Sequence, residues 1–232
     1  MKVLSLVFPR FTLIDLAAPM QALSMLPDFQ SQIVWQEKGP VQSDAGVTVE
    51  ATESFDTCWR DPDILFVPGN TLGLFAQLED RRTVDFVADR GDRSGWITSV
   101  CNGSLLLGVA GLLHGYDAAS YWYTRDALAK FGANPKPERV VIDRNRATGG
   151  GMTAGVDFGL SLVGEIMGET HGRLIELLFE YAPQPPYGTG RPELADAQTL
   201  DMAKTILGDL MPRNRLEPLT AKPPRHQDRK TQ

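Results

Sequence analysis

Apolar and polar positions recur along the chain in two periods, and the switch between them marks the elements. Residues 2–7 form a short apolar run ahead of Pro9 and Arg10, as in a buried first strand. Leu13, Ile14, Leu16, Ala17, Met20, Leu23 and Met25 then follow at helical spacing. Residues 31–36 and 63–67 read as further strands, with a hairpin over 43–50 turning at Asp44-Ala45-Gly46. A helix over 82–90 with a mixed-charge outer face, a strand over 96–100 and a helix over 103–113 come next. Residues 118–121 are a weak strand, and 124–131 a helix with Thr124 as N-cap. Residues 139–143 and 146–148 pair about a turn at Asn145. Beyond Gly149-Gly150-Gly151 the spacing predicts helices from Thr153 to Met167 and over 171–181, and one more over 194–210. Strands alternating with helices predict an α/β fold, a mostly parallel sheet with helices on both faces, whose ligand sites lie at the carboxyl ends of the strands.

Composition bounds this picture without changing it. A chain of 232 residues sits near the upper size of a single core, so one domain is expected. A net charge of −6 argues against nucleic acid or an anionic membrane as the main partner. The charge is uneven: residues 211–232 carry six basic and two acidic groups. Eight of the sixteen prolines fall after residue 182. Residues 211–232 therefore read as a basic, Pro-rich, disordered tail behind a C-terminal helix over 191–210, with residues 1–190 as the main domain. The longest run without a polar side chain, residues 105–113, is far short of the roughly 20 residues that span a bilayer. The apolar opening resembles a signal peptide, but Pro9, Arg10 and Asp15 interrupt it, and a cytoplasmic location is expected. Two cysteines, Cys58 and Cys101, are too few for a disulfide scaffold or a sulfur-rich metal site.

The chemistry concentrates at one junction. Residues 96–100 run as a strand straight into Cys101-Asn102-Gly103-Ser104 and a leucine-rich helix, the sequence form of a nucleophile elbow. A small residue at 103 lets the helix pack close to the strand it leaves, and the helix N-terminus should pull the Cys101 thiol below its usual range. An inert buried cysteine at a strand end fits the same local pattern. Asp15, in an otherwise apolar stretch, either caps the first helix or serves a site. Val67-Pro68-Gly69-Asn70 ends a strand in a turn whose N–H groups could face a reacting centre. Gly149 to Gly151 either lets backbone crowd a site or makes a tight turn. Cys58 has no partner acid and reads as structural, and His114, His171 and His226 read as solvated or as helix-end residues.

In order, Asp15-Leu-x-x-Pro19, Val67-Pro68-Gly69, Val100-Cys101-x-Gly103-Ser104, Gly149-Gly150-Gly151-x-Thr153-Ala154-Gly155 and Glu180-Tyr181-Ala182-Pro183-x-Pro185-Pro186 resemble the ThiJ/PfpI superfamily over about residues 1–190, nearest to its isonitrile hydratase branch. The resemblance implies a flavodoxin-like three-layer sandwich, usually a homodimer, acting on a small molecule without metal or organic cofactor. It implies hydration of an isonitrile to an N-formamide, with Cys101 as nucleophile, Asp15 as general acid and base sharing a proton with it, and Asn102 in the catalytic group. Gly69, Asn70, Tyr121, Trp122 and Gly150 would line the substrate. Three positions depart from the branch or the wider superfamily: Asn102 stands where the branch has Thr, Asn70 where it has Gly, and Tyr121 where the superfamily often has His. Similar domains also serve as the sensor half of AraC-type regulators, which continue into a helix-turn-helix region of about 100 residues. Only some forty residues follow Thr189. A redox-responsive thiol protein, with Cys101 oxidised to sulfenic or sulfinic acid, is the remaining alternative.

Overall fold

The structure, a computed structural model, describes residues 1–223. The strands are β1 (Lys2–Leu6), β2 (Gln30–Trp35), β3 (Gly39–Gln42), β4 (Thr48–Ala51), β5 (Glu53–Ser54), β6 (Ile64–Val67), β7 (Trp96–Val100), β8 (Asp117–Ala118), β9 (Asn134–Pro135), β10 (Val140–Asp143) and β11 (Arg146–Gly149). The α-helices are α1 (Leu13–Leu23), α2 (Leu74–Glu79), α3 (Arg81–Arg93), α4 (Gly103–Val109), α5 (Ala154–Met167), α6 (Glu169–Leu178) and α7 (Ala197–Leu210). Short 3₁₀ turns cover Arg125–Phe131, Pro192–Leu194 and Arg213–Leu216.

Seven strands form the main sheet in the order β10-β11-β7-β6-β1-β2-β5. All its pairings are parallel except β10 with β11, the pair that turns at Arg144 and Asn145. The central strands β6 and β1 are apolar on both faces because helices cover both, as the α/β reading requires. The hairpin predicted over 43–50 is β3–β4, in a sheet of its own with Val41 opposite Val49. Among the described residues, no helix is long and apolar enough to cross a membrane.

One packing contact matters for the site. α1 and α5 approach closely where small residues allow it: a Cβ on Gly159 would stand 2.5 Å from Ala22 Cβ, and one on Gly155 would stand 3.0 Å from Pro19 Cδ. α1 carries Asp15, and α5 begins just beyond Gly149 to Gly151, so this contact fixes the acid relative to the glycine run.

Several expectations change. Asp15 does not cap α1: it lies in the first turn, and the Leu13 N–H donates instead to Asp44 Oδ1 of the hairpin turn, at 3.2 Å. Thr124 makes no cap bond, and the turns after it are 3₁₀ rather than α. α4 stops at Val109, short of Leu113, because Gly111 turns to φ +80° with the Lys222 carbonyl oxygen packed where a Cβ would be. α2 was not foreseen. Disorder also fails over residues 211–223, which form a strap against the body. Met211 and Leu216 are buried, Lys130 Nζ donates to the Leu216 carbonyl at 2.7 Å, and the Lys222 N–H donates to the Val109 carbonyl at 2.8 Å. The rest of the tail reading, residues 224–232 with His226, lies outside the described residues.

Candidate active site

β7 delivers Cys101 at φ +55°, a left-handed backbone that non-glycine residues adopt at a cost of about 1–2 kcal/mol. Neighbours hold it there. The Cys101 N–H is shared between the carbonyls of Gly149 (3.0 Å) and Gly150 (2.9 Å). Its own carbonyl accepts from Ser104 Oγ at 3.1 Å and Ser120 Oγ at 3.2 Å. The glycine run is therefore part of the elbow, because the end of β11 supplies the acceptors that hold the cysteine. Gly103 is small for a different reason from the one expected. A Cβ there would strike the Val67 carbonyl oxygen at 2.3 Å, so the close approach is to the end of the neighbouring strand β6.

Asp15 is fully buried and faces the Cys101 thiol. The Gly69 N–H donates to its Oδ2 at 3.2 Å, and Oδ1 has no nitrogen or oxygen donor. Burial drives the carboxyl up to about 7 against the pull of hydrogen bonds from Cys101 and Gly69, and the Asp44 charge adds to the rise. The Cys101 thiol is also pushed well above its usual range, first by burial and then by the Asp15 charge. The N–H groups of Asn102 and Met152 point at the sulfur and pull the other way, but burial outweighs them. The helix-terminus argument thus has the right sign for its own contribution and the wrong sign for the sum. With both groups raised, the pair retains a proton at neutral pH.

Gly69 sits where these groups meet. A Cβ on it would lie 2.7 Å from Cys101 Cβ, 2.7 Å from the Asn102 nitrogen and 2.9 Å from Asp15 Oδ2. Asn70 is buried beside it with its Nδ2 unpartnered; Thr12 Oγ1 is unpartnered too, while the Thr12 backbone N–H donates to the Gly69 carbonyl at 2.9 Å.

Asn102 occupies the N-cap of α4 but does not cap it. Forgoing such a cap costs about 1 kcal/mol, and the amide is used in other contacts. Its Nδ2 donates to the Asn70 carbonyl at 2.8 Å and lies 3.3 Å from Met211 Sδ, while Oδ1 accepts from Thr124 Oγ1 at 2.5 Å. The side chain thus braces the turn after β6.

Tyr121, Trp122 and Gly150 line a cleft of about 700 Å³ together with Gly151, Met152 and the segment at Pro192. Gly69, Asn70 and the 1% exposed Cys101 are not in its walls, but Cys101 hydrogen-bonds to two residues that are: its N–H donates to the Gly150 carbonyl and its carbonyl accepts from Ser120 Oγ. The Tyr121 ring lies against Gly151, where a Cβ would fall 2.4 Å from Cδ2. Its hydroxyl is held above its usual range by burial and by the charge of Cys101. Cys58 is a free, buried thiol whose Sγ meets the Phe55 carbonyl at 3.7 Å. Among the described residues, no group of three or more His, Cys, Asp and Glu is placed to hold a metal ion. Ser120, Thr124, Met152 and Met211 were missed in the sequence, where nothing local marks them.

The sequence profile of the DJ-1/PfpI family matches residues 1–165. Isonitrile hydratase from Pseudomonas putida is 41% identical over 199 residues, covering 86% of this chain and 86% of that one. The HTH-type transcriptional regulator GbdR of Pseudomonas aeruginosa is 28% identical over 184 residues, 76% of this chain but 49% of the regulator. A solved ThiJ/PfpI family protein from Pseudomonas syringae superposes with a TM-score of 0.89 at 44% identity, covering 94% of this chain and 89% of that one.

Proposed function

The chain belongs to the DJ-1/PfpI family, and within it we propose that it is a cofactor-independent, cysteine-dependent enzyme that hydrates isonitriles to N-formamides. The observation that carries this reading is the buried Asp15–Cys101 pair, an acid raised to about 7 facing a thiol at a left-handed elbow. Likeness to the Pseudomonas putida isonitrile hydratase supports it. An isonitrile carbon is attacked by a nucleophile and must gain a proton as the C–S bond forms. The Cys101 sulfur adds to that carbon while the shared proton passes through Asp15 to it, giving a thioimidate bound to the enzyme. Asp15, now a carboxylate, takes a proton from water as the oxygen adds to the same carbon. The second proton of that water passes from oxygen to nitrogen as the C–S bond breaks, and the N-formamide leaves with Asp15 and Cys101 again sharing one proton. The N–H groups of Asn70 and Asn102 are placed in this scheme as donors to the tetrahedral intermediate. Tyr121, Trp122 and Gly150 shape the approach from the cleft, while Gly69 and Asn70 bound the reacting carbon. In this reading the enzyme works in the cytoplasm as a homodimer, and the exposed Leu174, Leu177 and Leu178 of α6 offer a face for the second copy.

The test is conversion of an alkyl or aryl isonitrile to the formamide, followed by loss of the isonitrile infrared band. Wild-type protein should turn over and Cys101→Ala should not. No turnover across a varied panel would overturn the activity, and an active Cys101→Ala variant would overturn the mechanism. The likeness to GbdR favours a second reading, ligand sensing without turnover. Saturable binding of an isonitrile that is recovered unchanged would select it.

A further inference from the structure

The strap after α7 begins against the active site, and nothing in the proposed reaction uses it. Met211 is fully buried with its Sδ 3.3 Å from Asn102 Nδ2. Two residues on, Arg213 donates to the Tyr123 carbonyl at 2.7 Å and lays its guanidinium over the Tyr123 ring, 4.6 Å from the centroid. Arg215 pairs with Glu79 of α2 at 2.6 Å and covers Phe75 at 4.3 Å. The strap therefore holds the two segments that flank the elbow, residues 121–124 and α2. Its first residue closes the space behind the one amide that ties the elbow to the turn after β6.

We propose that Met211 is a positioning residue for the nucleophile: it fixes the Asn102 side chain, and through Asn102 the peptide N–H aimed at the Cys101 sulfur and the Asn70 backbone. The chain of contacts is continuous. Asn102 Nδ2 donates to the Asn70 carbonyl at 2.8 Å, its Oδ1 accepts from Thr124, and its own N–H faces the sulfur. An asparagine at a helix N-cap ordinarily turns its oxygen back onto the helix. Here the amide is turned outward and needs a filled wall behind it, which Met211 supplies. The inference rests on Cys101 being the reactive thiol of the proposed function, but its first readout needs no turnover.

The experiment is the pH dependence of Cys101 alkylation by iodoacetamide, in a Cys58→Ala background so that one thiol reports. The charged and titratable groups that face the thiol are Asp15 from α1 and Tyr121 before the 3₁₀ turn, with Asp44 acting on Asp15. None is altered by the variants. Weakening an N–H donor to the thiolate raises the thiol's titration. Met211→Ala should move the midpoint up by about half a unit and slow alkylation below the midpoint about threefold. Met211→Leu, which refills the wall, should restore the wild-type profile. In turnover, the Met211→Ala loss should fall on kcat with KM unchanged. A Met211→Ala profile that superimposes on wild type, whatever its melting temperature, would overturn the proposal. If that variant does not fold, Arg213→Ala, which loosens the strap without touching Asn102, takes its place with the same two outcomes. A shifted alkylation profile in a protein that hydrates no isonitrile would keep this inference and discard the activity.

Discussion

Two buried ionisable side chains lie at opposite ends of the same sheet and are treated in opposite ways. Arg146 opens β11 at the amino end. Its Nε donates to the Leu112 carbonyl at 2.7 Å, one terminal nitrogen donates to Asn145 Oδ1 at 2.5 Å, and its guanidinium stacks 4.2 Å from the Tyr116 ring centre. Asp15 faces the carboxyl end, where the last residue of β11, Gly149, holds the elbow. It receives one backbone N–H and a thiol, and no cation pairs with it among the described residues. Burial opposes the charged form of both, pulling the arginine down and pushing the acid up. The arginine keeps its charge because its donors are met. The acid is left to exchange its proton near neutrality, which is what a group that must give and take protons requires. Burial alone therefore does not mark the functional end of the sheet; burial with unmet polar atoms does.

The largest effect expected from breaking this contrast is at Asp15. Asp15→Asn should cut turnover by about 10²–10⁴-fold, the usual worth of a positioned acid and base. The same change should stabilise the protein in alkali. The folded value near 7 exceeds the ordinary 3.8, so between those values the folded protein holds a proton that the unfolded chain releases. Wild-type stability consequently falls as pH rises through that window and is lowest above 7. The asparagine has no such dependence, so its advantage in urea melts should be absent below pH 3.8 and grow by about 1.4 kcal/mol for each pH step of one across the window, levelling off above it. An advantage that shrinks toward alkali would refute the raised acid.

Next in size is the other end. Arg146→Ala leaves the Leu112 carbonyl and Asn145 without their donor and opens a cavity, and should destabilise the fold by about 3 kcal/mol or more in the same melts. Turnover per folded molecule should be unchanged; a selective loss of activity would mean that the two ends are coupled. The smallest effect is at Cys58, a buried thiol outside the site whose Sγ meets the Phe55 carbonyl. Cys58→Ala should cost about 1 kcal/mol and leave both turnover and the alkylation profile of Cys101 intact.

What was legible beforehand follows the range of the forces. Strands β1, β2, β6, β7, β10 and β11, the hairpin turn at Asp44 and the elbow after β7 rest on local periodicity and turn chemistry and stand within a residue or two of where the pattern puts them. The strand read over 118–121, by contrast, is only Asp117–Ala118, and β5 and β9 were not foreseen. The pairing of Asp15 with Cys101 was legible too, because the resemblance brought the two together. The direction in which Asn102 points was not legible, since it depends on Met211, 109 positions away. Nor was the thiol's titration, because the helix terminus is a local feature and the burial that outweighs it comes from the whole fold. The strap was misread for a related reason. Proline and basic residues suggest disorder, yet Arg213 and Arg215 are held by Tyr123, Phe75 and Glu79, which composition does not place.

The crowding at Gly69 bears on how such a protein can change over generations. One added methyl group there would meet the nucleophile, the acid and a backbone donor together, so no sequence of small steps passes through that position. Asn70 and Tyr121 are different: each brings a whole side chain to the site from a backbone that tolerates one. Drift in substrate preference has room at those two places, while the chemistry beneath them is locked by a residue with no side chain to vary.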